Sequence, residues 1–363
     1  MHAVAFGGLF PRIADIQAGL GIDDATLGMA LTTAAVGGLI VNLGAGRIIQ
    51  AAGTKAVIVL GIPALAVLTA MVAWVSNLWL LFPNLLVMGG VFSLINVAIN
   101  LEADRVEAAT GRRVMNLCHG VWSAGMLITA LGGTGARAIE MSSAMHLALI
   151  IPLTVVVTAA TLVRMEASPP APDDKMEGPR AALPTRRTLM LVAFGLSAGI
   201  AQSATQNWSV IFMEQVLASP DWVATLPLSA YLVAMTIGRF FADGWLERWG
   251  GRPVALILSL ISLLGCLAVI LAPNFWIALS GFALMGVGTA VLFPMMVTGA
   301  ARSTSRSAAE AVSAVLLLTG VAMMIAPALM GWIAENYGLR AAFASLVPTF
   351  LLTVVLVRRV APS

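Results

Sequence analysis

The sequence predicts an all-α integral membrane protein of twelve helices in two six-helix bundles, and three observations predict it. The first is composition: of 363 residues, 60% are hydrophobic and 10% charged, with a mean hydropathy of +0.95. Soluble domains carry about 45–50% apolar and about 25% charged residues, so these charges cannot cover a water-exposed surface. The second is length. Twelve crossings of about 20 apolar residues take roughly 240, which leaves short loops and no room for a soluble domain. The third is that the two halves of the chain resemble each other. A net charge of +3 comes from basic residues scattered between apolar runs, which reports membrane topology rather than a nucleic-acid surface. Cys118 and Cys266 lie in apolar stretches without CxxC or Cys/His spacing, so neither a disulfide framework nor a metal site is expected, and no cofactor is implied.

Taken in order, apolar runs of helical length fall at 26–49, 56–76, 78–101, 114–136, 144–163, 188–213, 223–246, 253–272, 275–298, 308–333 and 340–357. Glycine and proline inside them do not argue against helix, because neighbouring helices satisfy freed backbone groups in a bilayer. Ahead of the first run stands MHAVAFGGLFPRIADIQAGLGIDD, whose apolar part, Ala3 to Phe10, covers about 12 Å at the helical rise. That is half a span. The first helix is therefore expected to be truncated at its N-terminus, with the true start of the protein upstream of Met1.

Seventeen of the twenty lysines and arginines fall on the loops of one side, and Arg12, Arg137 and Arg340 on the other. The excess places the loop after 26–49 and the C-terminus in the cytoplasm. Asp15, Asp23, Asp24, Glu140, Glu214, Asp221 and Glu335 collect on the opposite side. Trp74, Trp79, Trp222, Trp245, Trp249, Trp276 and Trp332 sit at span ends as interfacial belts do, which leaves Trp122 and Trp208 for the interior.

The longest polar stretch, RMEASPPAPDDKMEGPRAALPTRR at 164–187, holds five prolines and mixed charge and reads as a cytoplasmic linker. It divides the chain into a bundle at 1–165, a linker at 166–187 and a second bundle at 188–363. Gly46 and Gly53 beside Lys55 are matched by Gly244 and Gly251 beside Arg252 at an offset of 198, and ATLGMAL at 25–31 is matched by ATLPLSA at 224–230 at an offset of 199. Parallel repetition of this kind marks a duplicated six-helix unit, with the binding site at the repeat interface near the midplane.

Over essentially its whole length the chain resembles the major facilitator superfamily. GAGRIIQAAGTK (44–55) and GRFFADGWLERWGGR (238–252) are similar to the family's loop signature between the second and third helices of each half. The first copy has Gln50 where the family usually has aspartate; the second has Arg248 at the equivalent spacing, with Asp243 and Glu247 close by. NVAINLEADRVEAATGRRVMNLCHGVWSAGM (96–126) and QNWS (206–209) resemble the fucose-permease-like branch of bacterial inner-membrane transporters. The resemblance implies a monomeric secondary transporter, multi-pass in the bacterial cytoplasmic membrane. It would move a small polar solute, such as a sugar, by alternating access, with protons as a further candidate partner for symport. The alternatives are an efflux transporter for drugs or metabolites and a transporter-derived sensor that binds without flux. An enzyme is not expected, since three dispersed histidines supply no metal or nucleophile set.

Candidate site residues follow from side chains that a bilayer would otherwise penalise. Asn96 and Asn100 share one helical face, as do Asn116, His119 and Ser123 on the next helix. Each stripe reads either as hydrogen-bond glue between helices or as cavity lining. His119 is ionisable and intramembrane, which makes it a functional candidate. Gln202, Gln206 and Ser209 form a stripe on the first helix of the second half, Ser203 and Asn207 a neighbouring one, and Trp208 completes the richest polar-aromatic cluster in any span; its alternatives are interhelical bonding, with Trp208 in the outer belt. No Asp or Glu lies mid-span, and Glu102, Asp243 and Glu310, near cytoplasmic ends, read as solvated surface or loop-to-helix pairing. Gly46, Arg47, Gly53, Lys55, Arg239, Asp243, Arg248 and Arg252 at the cytoplasmic loops are either topology anchors or gating contacts. His146 reads as a satisfied or interfacial histidine. Gly281, Gly286 and Gly288, followed by Pro294, read as sites of close packing and bending.

Overall fold

The computed structural model describes residues 1–111, 114–162, 185–302 and 308–360, and among these there is helix and no strand. The predicted linker at 166–187 lies outside the described residues except for its last three. The helices are α1 (His2–Gly7), a 3-10 turn (Phe10–Arg12), α2 (Ile13–Leu20), α3 (Asp24–Ala52), α4 (Thr54–Val72), α5 (Leu78–Thr110), α6 (Met115–Ala138), α7 (Ser143–Leu162) and α8 (Arg186–Leu217). They continue with α9 (Asp221–Ala224), α10 (Leu226–Trp249), α11 (Gly251–Leu271), α12 (Phe275–Thr289), α13 (Leu292–Ala301), α14 (Ala308–Tyr337), α15 (Leu339–Ala344) and α16 (Val347–Val360). Ten stretches among the described residues are long and apolar enough to cross a membrane, and the pairs α12–α13 and α15–α16 each make one of them. The helix α6 and the broken segment α1–α2 complete a twelve-crossing plan.

Past the apolar stretch Ala3 to Phe10 the helical path of the first segment turns through Phe10–Arg12 and runs on to Leu20, and Arg12 is buried. The predicted belt is visible as exposure: Trp74, Trp79, Trp222, Trp249, Trp276 and Trp332 are exposed, Trp122 and Trp245 half-buried, and Trp208 buried.

The chain forms two compact units, one of Met1–Ile22 with Met29–Gly178 and the other of Asp23–Gly28 with Pro179–Ser363. In unit 1, Leu65, Leu81, Met88 and Ile95 are fully buried in a core between α4 and α5. In unit 2, α8 is the central helix, packed against α10, α12, α13, α14 and α16. There Phe212, Phe282 and Phe343 meet edge to face at centroid distances of 5.3 to 6.2 Å, and the Ser197 and Thr353 hydroxyls lie 2.8 Å apart. The opening of α3 belongs to this unit. Asp24 N donates to Glu335 Oε2 at 3.1 Å, and a Cβ added at Gly28 would lie 3.1 Å from Gly331 Cα.

The two units repeat one another at an offset of 197, one less than the glycine spacing suggested. Asn77 caps α5 by accepting from Leu80 N, and Asn274 caps α12 by accepting from Ile277 N. Gly89 lies against the Ala34 carbonyl where α3 crosses α5, and Gly286 lies against the Tyr231 carbonyl where α10 crosses α12. Asn84 donates to the Leu68 carbonyl, and Gly281 lies against the Gly265 carbonyl. One-residue turns at Gly53 (φ +81, ψ 148) and Gly250 (φ +79, ψ 163) use backbone conformations that are essentially glycine's own. The turn glycine of the second copy is therefore Gly250, while Gly251 opens α11. The match of 25–31 to 224–230 falls two positions out of this register. The ambiguity arose because two glycines stand side by side and only backbone geometry tells them apart.

Candidate functional site

Asn96 and Asn100 stand on α5 beside its crossing with α3. Asn96 is exposed and Asn100 half-buried, and neither hydrogen-bonds to another described residue. One turn earlier on the same face, Ser93 Oγ donates to Asn42 Oδ1 on α3 at 2.6 Å. Asn42 and Ser93 were not singled out from the sequence, although Asn42 is the only amide in the run 26–49. On α6, His119 is exposed and also without a partner among the described residues. Ser123 is buried and donates to the His119 carbonyl at 3.0 Å, so its hydroxyl is engaged along its own helix. The side chain of Asn116 lies outside the described residues.

On α8 of unit 2, Gln202 and Gln206 are half-buried on one face, with no hydrogen bond to any described residue. Asn207 is buried and donates to Ser203 Oγ at 3.1 Å. Trp208 lies in the interior, as expected, but apart from the cluster it was grouped with. It stands roughly 200° around the helix from Gln206 at about 100° per residue, and it is 0% exposed. It packs in the bundle core, neither with the glutamine stripe nor in a belt, and its Nε1 has no partner among the described residues. Residue type suggested a cluster that helical phase divides.

The loop residues separate into different roles. Arg47 is exposed and Gly46 half-buried. Glu102 on α5 is buried and accepts from Thr54 Oγ1, the first residue of α4, at 2.8 Å, with Arg105 Nη1 at 3.9 Å. That is loop-to-helix pairing beside the Gly53 turn and Lys55. Arg248 lies 5.8 Å over the Trp249 ring, an interfacial cation-aromatic contact, and Arg252 is exposed. The side chain of Asp243 lies outside the described residues. Arg239 is not at a loop. It sits near the middle of α10, where its Nε donates to the Ala290 carbonyl at 3.4 Å.

At the end of unit 1 that carries the turn between α6 and α7 is a charged network that sequence reasoning missed. Arg12 (3% exposed) donates from Nη1 to Asp15 Oδ2 at 3.0 Å and from Nε to His146 Nδ1 at 3.2 Å. Arg137 (5% exposed) donates from Nε to Asp15 Oδ2 at 3.2 Å, and its Nη2 pairs with Asp15 Oδ1. His146 is satisfied, as expected, and its Nδ1 serves as an acceptor. Partners 122 and 134 residues apart leave no trace in sequence spacing. In unit 2, Arg340 donates from Nη2 to the Ala272 carbonyl at 2.6 Å and from Nη1 to that of Ile270, closing the end of α11. All three arginines of the basic-poor side are thus held by protein groups.

A family model described as Major Facilitator Superfamily matches residues 1–228 and 217–363. An uncharacterized transporter of Sinorhizobium fredii is 25% identical over 344 residues, covering 94% of this chain and 91% of the relative. An uncharacterized MFS-type transporter of Yersinia pestis is 26% identical over 344 residues, covering 95% and 88%. Among solved structures, a mutant of the nucleoside transporter NupG matches with a TM-score of 0.78 at 15% identity, covering 99% of this chain and 96% of that one. The E. coli fucose:proton symporter FucP matches with 0.60 at 17%, covering 100% and 98%. These likenesses carry the fold, and together with the family match over both halves they establish that the chain belongs to the Major Facilitator Superfamily.

Proposed function

We propose that the protein is a secondary transporter of the bacterial cytoplasmic membrane, with its C-terminus cytoplasmic, which moves a small polar solute by alternating access. Its class is secure: relatives and family are membrane transporters, not enzymes. The observation that carries the finer reading is a set of uncommitted polar side chains in apolar helices. Asn96, Asn100, His119, Gln202 and Gln206 are at least partly accessible, and none bonds to a described residue. Glue between helices would use those groups, as Ser93 and Asn42 are used; a solute with hydroxyls or amides would use them instead. The engaged state of Ser123 and Asn207 and the burial of Trp208 give these three a supporting place behind the lining. The charge asymmetry supports the orientation more strongly once Arg12, Arg137 and Arg340 are recognised as structurally bound, because no free basic side chain then remains on the poor side.

Similarity to nucleoside and fucose transporters makes nucleosides and deoxy sugars the first probes. Uptake into proteoliposomes should saturate for one class, and Gln206→Ala should reduce it; equal uptake by wild type and variant removes the α8 stripe from the reading. For proton coupling, His119 on α6 is the residue to test. An imposed acid-outside gradient should raise uptake by the wild type and not by His119→Gln. Saturable binding with no flux in either direction would favour the sensor reading.

A further inference from the structure

The crossing Phe275–Ala301 is interrupted between α12 and α13, at Ala290 (φ −55, ψ −38) and Val291 (φ −104, ψ −16). Both residues keep near-helical dihedrals, so the helical path continues through the interruption. Its chemical cause lies four residues on. Pro294 has no N–H and cannot bond the carbonyl of residue 290, which in a bilayer has no water to turn to. Arg239 Nε donates to that same carbonyl from α10. One residue earlier Thr289 Oγ1 meets Tyr231 OH at 3.0 Å, and Gly238 lets α10 approach until an added Cβ would stand 2.9 Å from that of Ala290. Arg239 is thirteen residues from the start of α10 and ten from its end, and it falls three residues inside the end of the apolar stretch Asp221–Ala242.

The repeat supplies the control. At an offset of 197, Arg239 corresponds to Asn42, Ala290 to Ser93 and Pro294 to Val97. In unit 1 a neutral pair, Ser93 to Asn42, joins the same two positions, and α5 runs unbroken from Leu78 to Thr110. Packing alone therefore needs neither a charge nor a proline here. We propose that Arg239 is a positioning residue of transport: its guanidinium replaces the backbone donor that Pro294 lacks. By releasing and re-forming its bond to the Ala290 carbonyl, it lets the crossing Phe275–Ala301 bend and straighten at Ala290–Val291. Unlike the lining proposed above, this hinge does not depend on the identity of the solute.

The test is a double-mutant cycle on the full chain in lipid. Spin labels at Ile277→Cys and Thr298→Cys, in a background of Cys118→Ala and Cys266→Ala, span about 32 Å along a straight helix. The wild type should show two distance populations, and Pro294→Val, which restores the missing N–H, should keep only the longer. Arg239→Gln should lower the thermal midpoint and broaden the distances. On the Pro294→Val background it should leave the distances unchanged and shift the midpoint by less than half as much. An equal effect of Arg239→Gln in both backgrounds, or a single narrow population in the wild type, overturns the proposal. Should Arg239→Gln not fold, Pro294→Val alone decides: an unchanged distribution overturns it.

Discussion

Where α3 crosses α5, the Ala34 carbonyl faces Gly89; 197 residues on, where α10 crosses α12, the Tyr231 carbonyl faces Gly286. Both crossings bring backbone against backbone, and both open with an asparagine cap. The chemistry laid on this shared frame differs. Unit 1 carries Asn96 and Asn100 on the face beyond the crossing, where unit 2 has Phe293 and Val297 at the same register. Unit 2 carries an arginine on α10 and a helix break ahead of Pro294 where unit 1 has a serine–asparagine pair and an unbroken helix. Contacts between backbones tolerate no substitution and so hold both copies alike, while side chains beside them are free to take up separate tasks.

The largest expected effect tests the shared frame. Gly89→Leu and Gly286→Leu each drive a side chain into a facing carbonyl that cannot move aside, at a cost of about 3 kcal/mol or more. Both should abolish a monodisperse peak in size-exclusion chromatography; tolerance of one alone would break the equivalence. Next is the charged network of unit 1. Asp15→Ala strands two buried arginines and should destabilise the protein by about 3 kcal/mol, the low end for a broken buried pair because Asp15 is partly exposed. A thermal midpoint equal to wild type would mean that the network is ornamental.

A third variant moves unit 2's residues into unit 1. Asn96→Phe with Asn100→Val should leave the midpoint unchanged and reduce uptake roughly tenfold, or about 1.4 kcal/mol of solute interaction. Retained uptake would sharpen the contrast by returning the stripe to a packing role. Gly53→Ala and Gly250→Ala should each cost about 1 kcal/mol, since their conformation is strained for any other residue, and Gly251→Ala less. The reverse order would restore the offset of 198. The smallest effect concerns Asp23, which accepts from Thr26 N at 2.6 Å ahead of α3. Bonds from the Thr26 side chain and backbone hold its carboxyl below the ordinary value of 3.8. The stabilisation from this exposed cap is present above that value and lost as pH falls through the lowered one. Asp23→Ala should cost less than about 1 kcal/mol and flatten the acid limb of the stability profile.

Periodicity and composition located the crossings to within a few residues, because an 18-residue apolar run in a chain this poor in charge has few other uses. The charged network was not legible, since Arg12 to His146 and Arg137 to Asp15 are joined only by folding. Arg239 stands in a stretch resembling a loop signature, and resemblance does not show that α10 runs unbroken through it to Trp249. The division of Trp208 from Gln206 was available from helical phase alone. The helix break was half legible: Pro294 signalled bending, but the donor to its freed carbonyl comes from a helix more than fifty residues earlier.

One exchange at the crossings bears on building chimeras. In unit 1 the valine is Val41 on α3 and the small partner Gly90 on α5; in unit 2 the glycine is Gly238 on α10 and the valine Val287 on α12. The bulk has changed sides while the spacing stayed the same. Grafting α3 in place of α10 would set Val41 against Val287, and grafting α10 in place of α3 would set Gly238 against Gly90 and leave a void. Half-molecules of this ancestry can be recombined only as intact helix pairs, so the unit of inheritance at this contact is the pair and not the helix.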